Sequence, residues 1–506
     1  MKKIFVFISL CILLSPPLFS SCNKGVRFYP APESEQASQD FKVSINKQSL
    51  FVYQARVSAM PINHAGGIIR PLEQTELASF GYFDASGKVN VIIESNIPVQ
   101  NIVIRPLSKK IKPDIQGNKI TIQLTAPCQL AIEVNGRHHV LYLFANPPED
   151  NPLKNGSGDV IYFGPGVHRP GIIRVKENQT LYVAGGAVVH GIIDAESVRN
   201  ITIRGRGIID GSTFTRDQAS IIHLLHCENV HIEGVILRDS PIFAVSMFGS
   251  RKLLIDNIKL IGMWRYNTDG IDPINCRDVQ IKNSFLRTFD DCIAVKGVTQ
   301  WQKSSGKWGM EWQSSKQDYI TNITVDNCVL WCDWGRALEI GAETSVDSIC
   351  HCFFRNCDII RNHWVAMDIQ QWDRANVYDI HFENIRVEAP IPSDTYYDSD
   401  ENPITNIHNI TSYSGVDKAS EMGRLFEINI RHDAPGEDSI RGKVHNIFYE
   451  NITSDYLPKS FFKGENENSN IYNISFKNIQ INGKKVSTTQ EGNIIFNEYA
   501  TGFKFQ

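Results

Sequence analysis

Short stretches in which apolar and polar residues alternate recur along the chain from about residue 200. Each has an aliphatic residue, any residue, an aliphatic or aromatic residue, any residue, and then Asn or Gly. This alternation predicts short strands with one face inward, and Asn and Gly tolerate the left-handed backbone that turns the chain at a strand end. The stretches are ITIRG at 201–205, VHIEG at 230–234, LLIDN at 253–257, VQIKN at 279–283, ITVDN at 323–327, the looser CFFRN at 352–356, IHFEN at 380–384, IFYEN at 447–451 and ISFKN at 474–478.

The spacing of these units predicts a parallel β-solenoid. Their first residues lie 29, 23, 26, 44, 29, 28, 67 and 27 residues apart. Repeats of about 20–30 residues with several short strands are typical of a solenoid, whereas propeller blades need about 40–50 residues. Helical repeats are disfavoured because no 3.6-residue period appears. The predicted fold class is all-β, with a β-helix over residues 151–506. The two long intervals predict insertions near 297–320 and 388–440, and such loops often shape a binding groove.

The residues before the solenoid are predicted to form three further segments. Residues 41–150 alternate over longer strands separated by turns such as Asn135-Gly136, which predicts a small β-sandwich domain. The first residues hold two lysines, a short apolar run and small residues before Cys22, a pattern that resembles a lipoprotein signal peptide over 1–22. Residues 23–40 are then a linker. We expect an exported protein in the periplasm or at the outer membrane, attached by a lipid on Cys22; cleavage by ordinary signal peptidase is the alternative.

Composition and charge limit the classes of partner that the protein is expected to bind. The chain has 506 residues, of which 42% are hydrophobic and 21% charged, so it can bury a large core. The net charge of −4 shows no basic surplus, and we therefore expect no nucleic-acid partner. Cys350, Cys352 and Cys357 surround His351 but lack the paired arms of a zinc site. We expect no metal and no cofactor, and small buried thiols at these positions.

One segment carries an unusual set of acidic residues. Asp269 precedes the adjacent pair Asp290–Asp291 by about one coil of the predicted solenoid. The segments DGID at 269–272, DCIA at 291–294, RALE at 336–339 and VAMD at 365–368 align as consecutive rungs. Neighbouring strands lie about 4.8 Å apart, so the three carboxylates crowd together. Crowding raises the pKa of at least one of them and leaves an acid beside ionised bases, which is the chemistry of glycosidic bond hydrolysis.

These residues resemble a known enzyme family. Residues 230–300 resemble the family 28 glycoside hydrolases, the polygalacturonases, in Asn267-Thr268-Asp269, in Asp290-Asp291-Cys292 and in the preceding Asp239-Ser240-Pro241. A β-sandwich followed by a right-handed parallel β-helix is similar to family 49, the dextranases and isopullulanases. The resemblance implies inverting hydrolysis in which Asp290 is the general acid and Asp269 and Asp291 activate the water. The alternative is that these aspartates cap the turns of the coils by hydrogen bonding.

Two departures from family 28 bear on the substrate. The family's Gly-His-Gly is replaced by Gly335-Arg336-Ala337, and its carboxylate-gripping Arg-Ile-Lys by Ala366-Met367-Asp368. An anion therefore stands where a cation would bind a uronate, and we expect a neutral α-linked polysaccharide or oligosaccharide instead. The residues predicted to contact it are Asp272, Lys296, Arg336, Glu339, Asp368 and Gln370, with Gln371 as a further candidate.

The first predicted insertion is rich in tryptophan. Trp301, Trp308 and Trp312 lie among polar residues and glycines. Such side chains beside a cleft either stack on sugar rings or pack the loop onto the coil. We include Trp301 and Trp308 among the predicted substrate contacts, and Trp264 and Trp372 fit the same two interpretations.

Three other functions compete with this prediction. A pectin-degrading polygalacturonase or rhamnogalacturonan hydrolase would need other cations, such as Arg336 and Lys296, to replace the missing pair. A lyase of the same architecture would need a calcium site and a base beside a uronate. A glycan-binding β-helix lipoprotein without activity is the alternative of another class, and a turnover assay separates it from the enzymes.

Overall fold

The computed structural model describes residues 25–59, 72, 75–215, 220–301, 312–313, 317–388, 396–397, 403–404, 423–433 and 436–506. Residues 26–146 form a β-sandwich of a six-stranded and a five-stranded sheet. A single turn of 3-10 helix lies at Leu107–Lys109. The sandwich strands are β1 Val26–Arg27, β2 Phe41–Ile45, β3 Gln48–Leu50, β4 Tyr53–Ser58, β5 Thr75–Ala85, β6 Gly87–Ser95, β7 Ile102–Arg105, β8 Asp114–Gln116, β9 Lys119–Ala126, β10 Cys128–Val134 and β11 Val140–Asn146.

From Val160 onward the chain forms a parallel β-helix in which each complete coil contributes strands to three lines. The first line is a continuous twelve-stranded parallel sheet. It comprises β12 Val160–Phe163, β14 Thr180–Val183, β16 Arg199–Gly205, β19 Glu228–Glu233, β22 Arg251–Asp256, β25 Arg277–Lys282, β30 Tyr319–Asp326, β33 Ser348–Arg355, β36 Asn376–Glu383, β41 Val444–Glu450, β44 Ile471–Lys477 and β48 Ala500–Phe505.

The second and third lines share one large sheet. Its first strands, β13 Gly166–Arg174 and β15 Ala187–Glu196, run through both lines. The second line continues with β17 Ile208–Asp210, β20 Ile236–Arg238, β23 Lys259–Ile261, β26 Phe285–Thr288, β31 Val329–Cys332, β34 Asp358–Asn362, β37 Arg386–Val387, β42 Thr453–Ser454, β45 Ile479–Ile481 and the antiparallel β46 Lys484–Val486.

The third line carries the residues of interest for function. It comprises β18 Ile222–Leu225, β21 Val245–Phe248, β24 Ile271–Ile274, β27 Ile293–Gly297, β32 Arg336–Thr344, β35 Val365–Gln371, β40 Arg424–Ile430, β43 Ser460–Lys463 and β47 Ile494–Phe496. Two short hairpins stand outside the coils, β28 Gln300–Trp301 with β29 Trp312–Gln313 and β38 Tyr396–Tyr397 with β39 Pro403–Ile404.

The repeat in the sequence is the first line of strands. The first residues of the predicted units pair in chain order, from Ile201 with Val230 to Ile447 with Ile474. Every Asn or Gly that closes a unit has a positive φ, for example Asn257 at 54°. The closing asparagines also bond along the helix axis, as in Asn327 Nδ2 to Asn283 Oδ1 at 2.8 Å. The predicted all-β fold with a β-helix is thus confirmed, and its asparagines both turn and link the coils.

The β-sandwich packs against the second line of strands. Tyr142 and Phe144 of the six-stranded sheet contact Phe285, and Tyr142 also contacts Trp331. Buried polar contacts cross the same interface: Arg287 donates to the Tyr142 hydroxyl at 2.6 Å. The sandwich therefore covers the second line of strands. The described residues contain no helix long and apolar enough to cross a membrane.

The structure corrects two of the predicted segments. The predicted linker at 23–40 is part of the sandwich where it is described, because Val26 pairs with Ala85 and the Tyr29 hydroxyl donates to Asp84. The predicted insertion at 388–440 contains a strand of the coil, β40, which pairs with β35. The interval was predicted as one insertion because only strands of the first line end in the Asn-closed repeat, and β40 belongs to the third line. Residues 1–24, the predicted signal peptide and its lipidation site, lie outside the described residues.

Candidate functional site

The three aspartates lie in the turns that lead into the third line. Asp269 precedes β24, and Asp290 and Asp291 precede β27. Backbone hydrogen bonds tie successive turns together: Gly270 N–H donates to Asp291 O at 2.8 Å, and Cys292 N–H donates to Arg336 O at 2.8 Å. The coil geometry therefore brings Asp269, Asp291 and Arg336 onto adjacent rungs, although they are far apart in the sequence.

Gly335 allows the carboxylates to lie against the backbone of the next turn. A Cβ atom at this position would stand 2.4 Å from Asp291 Oδ1 and 2.6 Å from Asp290 Oδ1. Any side chain there would displace one of the two groups. Gly335 is therefore required on steric grounds, whether His or Arg follows it.

The predicted register of the four rungs is confirmed. Ile271 pairs with Ile293, Ile293 with Leu338, and Leu338 with Met367. These four side chains belong to the apolar interior of the β-helix. The residues that follow these four, and the residues in register with them on neighbouring coils, point away from this interior, and we call them the outward row. The row comprises His223, Ser246, Asp272, Ala294, Glu339, Asp368 and Glu427.

Lys296 contacts two of the carboxyl groups. Its Nζ lies 2.9 Å from Asp269 Oδ2 and 3.2 Å from Asp272 Oδ2, and all three side chains are buried. Burial raises the pKa of Asp269 to about 6, with Lys296 opposing and Asp291 adding to the rise. The pKa of Asp272 is raised well above its ordinary value, mainly by burial. Lys296, a predicted substrate contact, is thus engaged by Asp269 and by Asp272, a second predicted contact.

Asp290 and Asp291 are adjacent in sequence but differ in environment. Burial, followed by the charges of Asp269 and Asp291, raises the pKa of Asp290 well above its ordinary value. Burial also acts on Asp291, but the Arg336 guanidinium and a hydrogen bond with Glu339 outweigh it and lower the pKa of Asp291. Asp290 accepts a hydrogen bond from Asn267 Nδ2 at 3.2 Å. The pKa values of the two adjacent aspartates are therefore shifted in opposite directions.

Arg336 joins the three aspartates to the carboxylates of the outward row. Its backbone N–H donates to Asp291 Oδ1 at 2.7 Å, and its Nε donates to Asp368 Oδ2 at 3.1 Å. The guanidinium lies 3.8 Å above the ring of Trp364. It also lies 3.6 Å from Glu339 Oε1. This cation is therefore held by protein carboxylates on several sides.

The other predicted contacts divide into two groups. Gln370 Nε2 lies 3.2 Å from each oxygen of Asp368, so it supports the outward row. Burial raises the pKa of Asp368 to about 8, and the charge of Glu427 adds to the rise. Gln371 instead points inward, where its Nε2 donates to Asp373 O at 3.1 Å, which fits a structural role.

The predicted aromatic contacts are described unevenly. Trp308 lies outside the described residues, and only the backbone of Trp301 is described, in strand β28 paired with Trp312. Trp264 Nε1 donates to Asp239 Oδ1 at 2.9 Å beside Arg265. The indole N–H of Trp372 is buried without a hydrogen-bond partner among the described residues.

One pair of site residues escaped sequence reasoning. Arg424 and Glu427 form an ion pair three residues apart on β40, and the register places them level with Val365 and Asp368. Arg424-Leu-Phe-Glu427 repeats the arrangement of Arg336-Ala-Leu-Glu339, and each arginine lies over an aromatic ring. The repetition of Arg-x-x-Glu was a usable signal, but it lay inside the interval predicted as an insertion.

The site contains the groups for acid–base chemistry. A buried carboxyl group with a raised pKa, that of Asp290, stands beside carboxyl groups that contact Lys296 and Arg336, an arrangement suited to proton donation and water activation. Among the residues that the structure describes, no group of three or more His, Cys, Asp or Glu side chains has the geometry to hold a metal ion.

Comparison with known proteins places this site in a family context. Residues 173–416 match the family model of the glycosyl hydrolases family 28. The chain is 23% identical over 449 residues to a dextranase of Arthrobacter globiformis, an alignment that covers 76% of this chain and 65% of that protein. It is 24% identical over 306 residues to an exopolygalacturonase of Arabidopsis thaliana, covering 59% and 63%. The chain thus spans less than two thirds of the length of either relative.

The fold has a solved counterpart. Dex49A from Penicillium minioluteum superimposes with a TM-score of 0.56 at 14% sequence identity, covering 96% of this chain and 99% of that one. A likeness at this identity supports the shared architecture, a β-domain followed by a β-helix. The matched region contains the three aspartates and the strands that hold them. The chain is therefore similar in sequence to the glycosyl hydrolases family 28 and to a dextranase, as its aspartate motifs indicated.

Proposed function

We propose that this protein is an exported, inverting glycoside hydrolase whose substrate is a neutral α-linked glycan. The observation that carries the proposal is the difference in environment among the three aspartates. Burial and neighbouring charges raise the pKa of Asp290, whereas Asp291 lies against Arg336 and Asp269 against Lys296. A proton donor and paired acceptors are what a single displacement requires.

The proposed reaction is balanced at these atoms. Asp290 transfers its proton to the glycosidic oxygen as the bond from that oxygen to the anomeric carbon breaks. A water on the opposite face of the sugar forms the new bond to the anomeric carbon and gives a proton to the Asp269–Asp291 pair. The net result is hydrolysis with inversion, and proton exchange with solvent restores the starting state.

A neutral substrate is expected because carboxyl groups of the protein already engage both cations of the site. Lys296 is engaged by Asp269 and Asp272, and Arg336 by Asp291, Glu339 and Asp368. A uronate bound at the outward row would have to compete with these carboxyl groups for both cations. Sugar hydroxyls, in contrast, can both donate hydrogen bonds to carboxyl groups and accept them.

A pectic substrate is the second candidate. The match to the family 28 model and to a relative named exopolygalacturonase favours it. The relative named dextranase, a protein whose name points to a neutral glucan, favours the first candidate. The two candidates share the aspartate mechanism and differ only in the polymer that is cleaved.

The test uses the mature protein and a panel of neutral α-glucans, α-galactosides and pectic polymers, with released reducing sugars as the readout. We expect release from a neutral α-glycan, and a loss of at least about 100-fold in Asp290→Asn, because a general acid contributes roughly 10²–10⁴-fold. Asp256→Asn is the matched control, since Asp256 accepts an amide hydrogen bond in the ladder of the first line. Release from pectic polymers alone would overturn the neutral substrate, and binding without release would favour the non-catalytic alternative.

Export and lipidation are part of the same proposal. The pattern that supports them is the short apolar leader that ends at Cys22. Metabolic labelling with an alkyne fatty acid in a bacterial host should tag the protein, and Cys22→Ser should remove the tag. Unchanged labelling of Cys22→Ser would contradict attachment at this residue.

A further inference from the structure

A cavity of about 380 Å³ lies at the edge of the β-sandwich, where the chain crosses from β7 in the six-stranded sheet to β8 in the five-stranded sheet. Three lysines, Lys109, Lys110 and Lys112, line it together with the polar side chains of Gln123 and Thr125. None of the described residues that line it is Asp or Glu. The chain as a whole has a net charge of −4, so this concentration of positive charge is local.

The β-helix fixes the segment that leads into the lysines. The backbone N–H of Leu107 donates to the Glu388 carboxyl group, and the Ser108 hydroxyl donates to Asp358 Oδ2 at 3.2 Å. Both carboxyl groups are buried and also contact arginines. Their charge is therefore already engaged, while the three lysines that follow are exposed to solvent.

The remaining lining of the cavity adds no negative charge. Cys128 is buried there, and burial raises the pKa of its thiol to about 11 although the charge of Lys109 opposes the rise, so the thiol is neutral at physiological pH. Leu124 contributes apolar surface. Asp114 follows Lys112 by two residues but does not line the cavity. An anion that enters therefore meets ammonium groups and neutral side chains.

The cavity lies at the end of the sandwich that carries Gly25. Thr125 pairs with Lys88 on β6, so the exposed Lys88 side chain stands on the same face beside the cavity. Two residues before Lys88, the Ser86 N–H donates to Gly25 O at 3.1 Å. Cys22 precedes Gly25 by three residues, which span at most about 11 Å. A lipid on Cys22 would therefore hold this end of the sandwich close to the membrane.

We propose that the lysine-lined cavity, with Lys88 beside it, binds the phosphate groups of an anionic lipid surface. Ammonium groups donate hydrogen bonds to phosphate oxygens, and a basic patch strengthens attachment through a lipid chain. An acidic polysaccharide could offer carboxylates to the same lysines, but the proximity of the proposed anchor favours the membrane. The choice of partner rests on the proposed lipid attachment, whereas the binding itself can be measured without it.

Vesicle sedimentation tests the proposal on the mature chain with Cys22→Ser, so that no acyl group contributes. We expect binding to phosphatidylcholine vesicles that contain about 30% phosphatidylglycerol at about 50 mM salt, and loss of this binding at about 500 mM salt because salt screens the charges. Vesicles of phosphatidylcholine alone should bind little protein. Each lysine near an anionic surface contributes about fivefold, so the triple variant K109Q/K110Q/K112Q should lower the partition coefficient roughly 100-fold.

The matched control removes the same charge from the last coil of the β-helix. The triple variant K484Q/K485Q/K504Q changes three exposed lysines there and should keep the partition coefficient within about threefold of the parent. An equal loss in the two triple variants would show that net charge rather than the cavity attracts the membrane. That result, or a parent that does not bind phosphatidylglycerol vesicles, would overturn the proposal.

Lysine footprinting locates the contact on the parent sequence. Phosphatidylglycerol vesicles should protect Lys109, Lys110 and Lys112 from chemical acetylation, as measured by mass spectrometry, and leave Lys484 unprotected. Protection by soluble polygalacturonate but not by vesicles would overturn the membrane partner in favour of an acidic glycan. Vesicle protection in a protein that takes up no fatty-acid label at Cys22 would refute the lipid attachment and would still support this binding site.

Discussion

Replacing Lys296 by methionine tests how the site keeps a buried carboxylate ionised. Lys296 Nζ lies 2.9 Å from Asp269 Oδ2 and is itself buried. At an effective dielectric constant of about 20, two unit charges at that distance attract by about 6 kcal/mol. If the surroundings compensate for two thirds of this, about 2 kcal/mol remains, which is equivalent to about 1.5 pH units.

The consequence for catalysis follows from the pKa of Asp269, which is raised to about 6 with Lys296 in place. Without the cation, we expect the pKa of Asp269 to rise to about 7.5, so the ionised fraction at pH 6 falls from about one half to about 3%, roughly 15-fold. In Lys296→Met, kcat/KM at pH 6 should fall by about this factor and recover as the pH is raised.

The assay is the pH dependence of kcat/KM for the parent, Lys296→Met and Lys296→Arg on whichever glycan is cleaved. Lys259→Met is the matched control, because Lys259 is a buried lysine on the second line that donates to Asn257 Oδ1, away from the aspartates. Its substitution should leave the acid limb in place. An acid limb of Lys296→Met that superimposes on that of the parent would refute the electrostatic role of Lys296.

Three further substitutions test other parts of the structure. Gly335→Ala should lower kcat by about 10- to 100-fold without unfolding the protein, because the added Cβ would stand 2.4 Å from Asp291 Oδ1 and displace it; unchanged kcat would contradict this. The pKa of Asp368 is raised to about 8, so the folded state retains a proton that the unfolded state releases between about pH 4 and pH 8, and stability falls as pH rises through that range. Asp368→Asn should flatten this fall in Tm, and an equally steep fall would count against the raised pKa. Arg287→Met breaks a buried ion pair with Asp333 beside the sandwich, and urea unfolding should show a loss of about 3–5 kcal/mol, whereas a loss below about 1 kcal/mol would contradict the importance of this contact.

The coil architecture and its register were predictable because they depend on local sequence. A strand of period two that ends in a residue with positive φ occupies one place in each coil, so the anchors from Ile201 to Ile474 could be aligned directly. The alignment of Ile271, Ile293 and Leu338 then followed from the length of one coil.

The parts that were missed depend on side-chain direction and on strands without a closing asparagine. One such feature is the ion pair of Lys296 with Asp269 on the preceding coil, which depends on the direction of the lysine side chain. That Lys296 contacts substrate stays a prediction. Strand β40 ends at Ile430 with no Asn or Gly signal, so Arg424 and Glu427 were assigned to an insertion. Neither feature is encoded in the spacing of apolar residues.

The most direct test of the central claim is the anomeric configuration of the first product, followed by proton NMR during hydrolysis of a neutral α-linked glycan. With Asp290 as acid and the Asp269–Asp291 pair activating water, the sugar should appear first as the β-anomer and then mutarotate, and Asp290→Asn should give no product. First appearance of the α-anomer would mean a double displacement and would contradict the roles assigned to the three aspartates.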